Sequence, residues 1–274
     1  MPELTLISSA SSEECKNAPS FYRHVLEVLN DAAAPYLVGG AYAFNCHSGI
    51  TRPTKDLDLF IRRQDYEPIS DALAQAGYET ELTFPHWLAK VISHGQYVDL
   101  IFSSGNGVAE VDDLWFDNAA EAEVLGVRTK ICPVEEMIWS KAFIMEKERF
   151  DGADIVHLVR SRGEEMDWQR LLRRFDSHWR ILLSHLISFG FVYPGNRDLV
   201  PVRVMDELVE RLREETHTPP TENGICFGTL LSREQYLMDL KEFGSLDARL
   251  VPVGNMTAKE AAIWTQAIKD RDNA

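Results

Sequence analysis

The alternation of apolar and polar residues changes character near residue 130 and divides the chain into two differently built parts. Before that point, short apolar runs alternate with amphipathic stretches, which predicts strands mixed with helices. After it, apolar residues recur at the three- and four-residue spacing of helices. We therefore expect an α/β (α+β) fold, with a small mixed sheet flanked by helices in residues 1–130 and a mainly helical C-terminal domain in residues 131–274.

In the first part, the pattern predicts a definite order of elements. Helices are expected at residues 20–33, 41–47 and 65–76, and strands at 36–38, 56–61, 86–93 and 96–102. His94-Gly95 is typical of a hairpin turn between the last two strands. Residues 108–129 are acidic and less regular, so no element is predicted there.

In the second part, the pattern predicts helices separated by short breaks. They are expected at residues 134–150, 152–162, 168–189, 202–215 and 232–243. Residues 216–224 are rich in turn-forming residues and predict a linker. Residues 270–274 are expected to be a frayed tail.

The strand predicted at 56–61 carries two carboxylates on one face. Because side chains alternate along a strand, Asp56 and Asp58 point to the same side, together with Thr54. Like charges this close repel each other, and a bound divalent cation removes the conflict. Mg²⁺ is commonly held by one or two carboxylates and substrate phosphates. Asp99, flanked by apolar residues, would complete a three-carboxylate site if its strand lies beside this one.

Two glycines mark the turn between the strand at 36–38 and the following helix. Without Cβ atoms, Gly39 and Gly40 let the backbone come close to a phosphate. The helix that begins at Ala41 offers free N–H groups and the positive end of its dipole. The sequence thus places a candidate triphosphate cradle beside the candidate metal site.

Taken together, these motifs resemble the signature of the polymerase-beta-like nucleotidyltransferase superfamily. The form R-x-T-x-D-x-D is similar to the branch that contains abortive-infection (type IV) toxin–antitoxin toxins and antibiotic nucleotidyltransferases. A second block looks like the K…R-x-x-D pattern that follows the catalytic domain in that branch. The residues that carry the resemblance are Gly39, Gly40, Ala41, Arg52, Thr54, Asp56, Asp58, Asp99, Lys141, Arg149, Asp151 and Asp154.

The resemblance implies an enzyme that transfers a nucleoside monophosphate from ATP or another NTP to a hydroxyl-bearing acceptor and releases pyrophosphate. It implies that Asp56, Asp58 and Asp99 are catalytic and bind Mg²⁺ or Mn²⁺. The residues implied in nucleotide binding are Gly39, Gly40, Ala41, Arg52, Thr54 and Lys141. Many members carry Ser or Thr where this chain has Ala41. A degenerate module that binds a nucleotide or a partner without turnover is therefore an alternative.

The formal charge of −15 bears on the acceptor. A strongly negative field argues against broad contact with nucleic acid and favours a cationic small molecule, with tRNA or a protein as the alternative for a toxin-type enzyme. Arginines interleaved with aromatic residues in 168–180 are typical of a nucleic-acid-binding stripe or of a solvated helix face, and the solvated face is favoured. These arginines are Arg170, Arg173, Arg174 and Arg180.

The remaining sequence features concern the compartment. The four cysteines lie far apart, with no spacing typical of a zinc site, which indicates reduced thiols. The first residues carry no basic and apolar signal sequence, and no apolar run approaches the roughly 18 residues of a membrane span. We therefore expect a cytoplasmic protein with no membrane partner.

Overall fold

The computed structural model describes residues 14–220 and 224–272. Within them the strands are β1 (Leu37–Val38), β2 (Asp56–Phe60), β3 (Glu79–Phe84), β4 (Leu88–Ser93), β5 (Gln96–Ile101), β6 (Ala120–Val124), β7 (Val127–Ile131), β8 (Ile225–Cys226) and β9 (Leu246–Asp247). The helices are α1 (Glu14–Asp31), α2 (Gly40–Ser48), α3 (Tyr66–Gln75), α4 (Asp113–Asp117), α5 (Val134–Ala142), α6 (Gly152–Arg162), α7 (Trp168–Phe175), α8 (Trp179–Val192), α9 (Val202–His217), α10 (Leu237–Lys241) and α11 (Ala258–Asp272).

Seven of these strands form one mixed sheet in the order β3-β4-β5-β2-β1-β7-β6. β2 pairs in parallel with β5, and β1 pairs in parallel with β7, while the other neighbours are antiparallel. Helices pack around the sheet, and the chain after β7 is mainly helical. The predicted fold class is therefore confirmed. The predicted domain boundary at residue 130 falls inside β7 and stays a prediction.

The elements around the glycine turn and the carboxylates lie where the pattern predicts them. β1, α2 and β2 follow one another with ends shifted by one residue or so, and α3 and β5 also match. His94 and Gly95 have φ values of 48° and 79°, as the predicted hairpin turn requires. Several of these segments end at a glycine that breaks the element: Gly39 after β1, Gly49 after α2 and Gly77 after α3.

Three strands of the seven-stranded sheet were missed by the hydrophobic pattern, as were the two short strands β8 and β9. β3 reads Glu-Thr-Glu-Leu-Thr-Phe and is the edge strand of the sheet, so a polar composition is tolerated there. β6 and β7 form a hairpin within the stretch taken as irregular, with Leu125 and Gly126 at positive φ in the turn. Along β7 buried and exposed residues alternate, a period of two that the high charge of the segment hides.

Two long predicted helices are interrupted. The helix predicted at 134–150 ends at Ala142, because the following loop forms contacts with a distant part of the chain: Met145 N–H donates to Leu231 O, and Glu146 accepts from the Ser232 hydroxyl. The helix predicted at 168–189 breaks at Asp176, whose φ is 35°. Local periodicity contains no information about either interruption.

The C-terminal part differs most from the prediction. The helix expected at 232–243 is reduced to α10, and α11 was not predicted. Residues 270–272, expected to be frayed, belong to α11, whereas residues 273–274 lie outside the described residues. The predicted linker is described up to residue 220, and 221–223 also lie outside. Among the described helices, none combines the length and the apolar character needed to cross a membrane.

Two arginines of α7 connect this helix to α5 and to the segment between β5 and β6. Arg174 donates from both terminal nitrogens to the carboxylate of Asp112 at 2.6 and 2.7 Å, and from Nε to Glu136 at 3.0 Å. Arg170 pairs with Glu135 and with Glu136. The favoured interpretation of a solvated face is therefore wrong for Arg170 and Arg174. It holds for Arg173 and Arg180, which are exposed.

We predict that Arg174→Met lowers the free energy of unfolding by about 2–3 kcal/mol, because it leaves the buried Glu136 carboxylate with one partner fewer. Arg173→Met, on the exposed face of the same helix, is the matched control and should change it by less than about 0.5 kcal/mol. Urea denaturation measures both values. Equal losses in the two variants would contradict a stabilising role for the buried pair.

Candidate active site

The pairing of β2 with β5 brings the three predicted carboxylates together. The strands are parallel, with Asp58 directly opposite Asp99 and Asp56 opposite Tyr97. The oxygens that Asp56, Asp58 and Asp99 can offer lie within 4.8 Å of one another. Leu57 points to the other face and is fully buried, which fixes the side to which the acids point.

The glycine turn lies directly against this acidic cluster. Gly39 N–H donates to the backbone oxygen of Asp58 at 2.8 Å. Gly40 has a φ of 52°, and a Cβ at this position would overlap Oδ2 of Asp58. An added Cβ at Gly39 would overlap the ring of Phe60. Both glycines are thus required by close approach, and Gly40 by its left-handed backbone as well.

The N-terminus of α2 begins at the same turn. Gly39, at the N-cap position, has no side chain, so it leaves the first N–H groups of the helix, including that of Ala41, without the usual cap. Free N–H groups and the positive dipole end are suited to bind an anion. The structure therefore places a backbone suited to anion binding beside a cluster of carboxylates, an arrangement that would accommodate a phosphate together with a cation.

Two neighbours hold individual carboxylates of the cluster. The Thr54 hydroxyl donates to Asp56 Oδ1 at 2.7 Å. Lys90, from the next strand β4, donates to Asp99 Oδ1 at 2.7 Å. Thr54 was predicted to bind nucleotide, and in this structure it orients Asp56. Lys90 was not singled out from the sequence, because its proximity to Asp99 depends on the register between β4 and β5.

The second sequence block forms a charged network next to the cluster. Lys141 Nζ lies 2.8 Å from Asp151 and 2.9 Å from Asp154, and Arg149 donates twice to Asp151 at 3.0 Å. Arg52 pairs with Asp154, and its guanidinium lies over the Phe44 ring at 4.6 Å. The predicted residues Arg52 and Lys141 are thereby brought into one network.

The electrostatics of the cluster reflect its crowding. Burial, followed by the charges of Asp56 and Asp99, raises the pKa of Asp58 to about 7, although Lys141 and Arg149 act in the opposite direction. Burial also raises the pKa of Asp99 against the effect of Lys90. Three carboxylates that are this close together and partly buried are not stable in the ionised form unless a further cation is present.

The donor set fits a divalent metal. Carboxylate oxygens are the hard ligands that Mg²⁺ prefers, and three of them converge here while Gly40 leaves the room that a side chain would fill. Asp56, Asp58 and Asp99 are the residues that would hold such an ion. Oxygen ligands of this kind suit both Mg²⁺ and Mn²⁺.

Two tyrosines next to the cluster were not predicted. Tyr22, from α1, donates its hydroxyl to the backbone oxygen of Lys55 at 2.7 Å. Burial, with smaller effects of Tyr42 and the three acids, raises the pKa of Tyr22 to about 12. Burial and Asp56 raise the pKa of Tyr42 in α2. Tyr22 lies far from the motif in sequence and reaches it only because α1 packs on the sheet.

The sequence was compared with protein families and with curated proteins. A family model described as an uncharacterised nucleotidyltransferase matches residues 23–183, more than half of the chain. No curated protein matches the sequence.

Among solved structures, the antibiotic-resistance factor ANT(2″)-Ia is similar at 15% identity and a TM-score of 0.42, over 62% of this chain and 97% of that one. The lincosamide antibiotic adenylyltransferase LnuA is similar at 15% identity and a TM-score of 0.36, over 55% and 98%. A putative nucleotidyltransferase from H. pylori is similar at 17% identity and a TM-score of 0.35, over 96% and 97%. Similarities of this size do not bear on the acceptor.

We predict that Gly40→Ala lowers the affinity for Mn²⁺ at least about tenfold, because the new methyl group would displace the Asp58 carboxylate. Gly49→Ala is the matched control: Gly49 also has a positive φ, of 70°, but nothing lies within 4 Å of an added Cβ. Both variants should lose about 1–2 kcal/mol of stability from backbone strain. Binding of Mn²⁺ by Gly40→Ala as tight as by Gly49→Ala would contradict the role assigned to Gly40.

The raised pKa of Asp58 predicts an unusual pH dependence of stability. Between pH 4 and about 7 the folded protein retains a proton that the unfolded chain releases, so the free energy of unfolding falls as the pH rises through this window. In EDTA, the wild type should lose up to about 4 kcal/mol relative to Asp58→Asn between these pH values. Urea denaturation at a series of pH values measures the difference. Parallel profiles would show that Asp58 titrates normally.

Proposed function

Because the chain belongs to the family of uncharacterised nucleotidyltransferases, we propose that it transfers a nucleoside monophosphate from an NTP to a hydroxyl-bearing acceptor in a reaction that depends on a divalent metal. Family membership makes it a nucleotidyltransferase, as its motifs predict. The observation that carries the proposal is the position of Asp56, Asp58 and Asp99 beside the free N-terminus of α2. The three carboxylates suit a cation, and the N-terminus of α2 suits phosphate oxygens.

Each group in the site has a role in the proposal. Asp56 and Asp58 would hold the ion, and Thr54 keeps the Asp56 carboxylate in place. The backbone around Gly39, Gly40 and Ala41 binds phosphate oxygens. A bound Mg²⁺ would supply charge neutralisation at the phosphates and lower the barrier to attack.

The bond changes then follow. The acceptor hydroxyl attacks the α-phosphorus, its oxygen forms the new P–O bond, and the bond to the β-phosphate oxygen breaks to release pyrophosphate. Asp99 receives the proton of the hydroxyl, directly or through water. Positioning and charge neutralisation supply most of the rate gain. Lys141 and Arg52 contribute positive charge through the network with Asp154.

The acceptor that we favour is a small cationic molecule. The net charge of −15 attracts cations and repels a polyanion. Arg170 and Arg174, half of the arginines that resembled a nucleic-acid-binding stripe, are engaged in ion pairs with acids, which counts against tRNA at that surface. The helical residues 131–274 shape the acceptor site in this proposal, since α5 and α6 contribute Lys141 and Asp154 next to the carboxylates.

The proposal includes a cytoplasmic location. NTPs and Mg²⁺ are abundant there. The thiols of Cys46, Cys132 and Cys226 are free in the described part of the chain, as a reducing compartment requires.

We predict that an NTP raises the melting temperature only together with Mg²⁺ or Mn²⁺, and that Asp56→Asn/Asp58→Asn abolishes this stabilisation. A ligand that binds only the folded state must stabilise it by mass action, by about 2.7 kcal/mol at 100 times its Kd. A thermal-shift panel of the four NTPs with and without metal measures the effect. Asp71→Asn, an exposed acid on α3, is the control and should behave as the wild type.

Transfer itself is then measured with an α-labelled NTP. Label should move to a cationic small molecule with a free hydroxyl, and Asp58→Asn should lower the rate at least about 100-fold. Label that moves to tRNA or to a protein would identify the toxin-type alternative. Stabilisation by NTP and metal without any transfer would indicate the degenerate binding module. No stabilisation by any nucleotide would overturn the proposal.

A further inference from the structure

A lysine beside the acidic cluster has no role in the nucleotidyl transfer described so far. The register of the sheet aligns Glu81 of β3, Lys90 of β4, Asp99 of β5 and Asp58 of β2 in one row across four strands. Lys90 thus stands between an exposed glutamate on the sheet edge and the carboxylate of the cluster. Its ammonium group could pair in either direction.

Lys90 is directed toward the cluster. Its Nζ lies 2.7 Å from Asp99 Oδ1 and 5.1 Å from the centroid of the Tyr97 ring. The side chains of Lys90 and Asp99 are 28% and 15% exposed, so solvent screens the pair only partly. The ammonium is held between an aromatic face and a carboxylate, both of which favour a positive charge.

The three acids, taken together with the lysine that contacts Asp99, can be balanced by a single divalent ion. Three carboxylates and one ammonium carry a net charge of two negative units, which one Mg²⁺ or Mn²⁺ neutralises. A second divalent ion would leave an excess of positive charge in a partly buried site. It would also compete with Lys90 for Asp99.

We propose that Lys90 is a built-in cation that takes the place of a second metal ion at Asp99, so that the protein without nucleotide binds one divalent ion at this site. The inference rests on the metal site of the proposed function. Lys90 acts through Asp99 as a positioning residue, because it holds Oδ1 of that carboxylate. A second ion can then bind only when a triphosphate adds its own negative charge.

The other cations near the cluster do not fill this role. Lys141 and Arg149 are engaged by Asp151, and Lys141 also by Asp154. Their positive charge acts on Asp58, whereas Lys90 contacts Asp99. Removal of Lys90 therefore changes the charge at one carboxylate and leaves the network of α5 and α6 intact.

The experiment counts Mn²⁺ ions bound at pH 8 without nucleotide, by the electron paramagnetic resonance signal of free Mn²⁺. The wild type should bind one ion. Lys90→Met, which keeps the length of the side chain without its charge, should bind two, the second at least tenfold more tightly than any second ion in the wild type. Lys90→Arg should restore one. Lys130→Met, which also removes one positive charge but on β7, three strands from β5, should also bind one.

The outcomes separate this inference from the proposed function. A wild type that binds two ions, or a folded Lys90→Met that still binds one, would overturn the role of Lys90 and leave the metal site intact. The wild-type count tests the inference even if Lys90→Met does not fold. Absence of Mn²⁺ binding in all variants would overturn the metal site and this inference with it. Binding of two ions by Lys130→Met would overturn the role of Lys90 and show that the overall charge of the protein sets the number.

Discussion

The parallel pairing of β2 with β5 is the constraint on which the site depends. It aligns Asp58 with Asp99 and places Asp56 on the same face, so that three carboxylates converge within a few ångströms. Parallel neighbours must be joined by a long connection. Here α3, β3 and β4 provide it, and β4 returns beside β5 with Lys90. The connection that makes the acidic cluster possible therefore also supplies a counter-charge for it.

Residues around Asp56, Asp58 and Asp99 partly compensate the negative charge of these three acids. Burial and mutual repulsion raise the pKa of Asp58, and this is a cost to the metal-free fold. Hydrogen bonds from Thr54 to Asp56 and from Lys90 to Asp99 hold two of the acids, while Asp58 lies beneath the glycine turn. Repulsion among the three acids strains the metal-free site, and a bound cation would relieve this repulsion. Such strain is typical of functional sites, where ligand binding offsets it.

The C-terminal helices are connected to the sheet by charge as well as by apolar packing. Arg174 links α7 to Asp112 before α4 and to Glu136 on α5, and the network of Lys141 lies on the other side, near Asp58. α5 therefore carries a structural ion pair and a cation close to the site. Nothing in the spacing of the charged residues along α5 separates the structural charges from the cation close to the site.

The sequence by itself determined the local parts of this protein. The strand–glycine–helix turn and the two acids on one face of β2 follow from backbone freedom and from the two-residue period of strands, which are properties of neighbouring residues. Tertiary structure alone decided which distant groups meet there. The contacts of Lys90, Tyr22 and Arg52 depend on strand register and helix packing. The break after Ala142 and the burial of Arg174 also depend on tertiary packing. Contacts between residues distant in sequence compete with the local hydrophobic period, and a short sequence segment does not contain the residues that make those contacts.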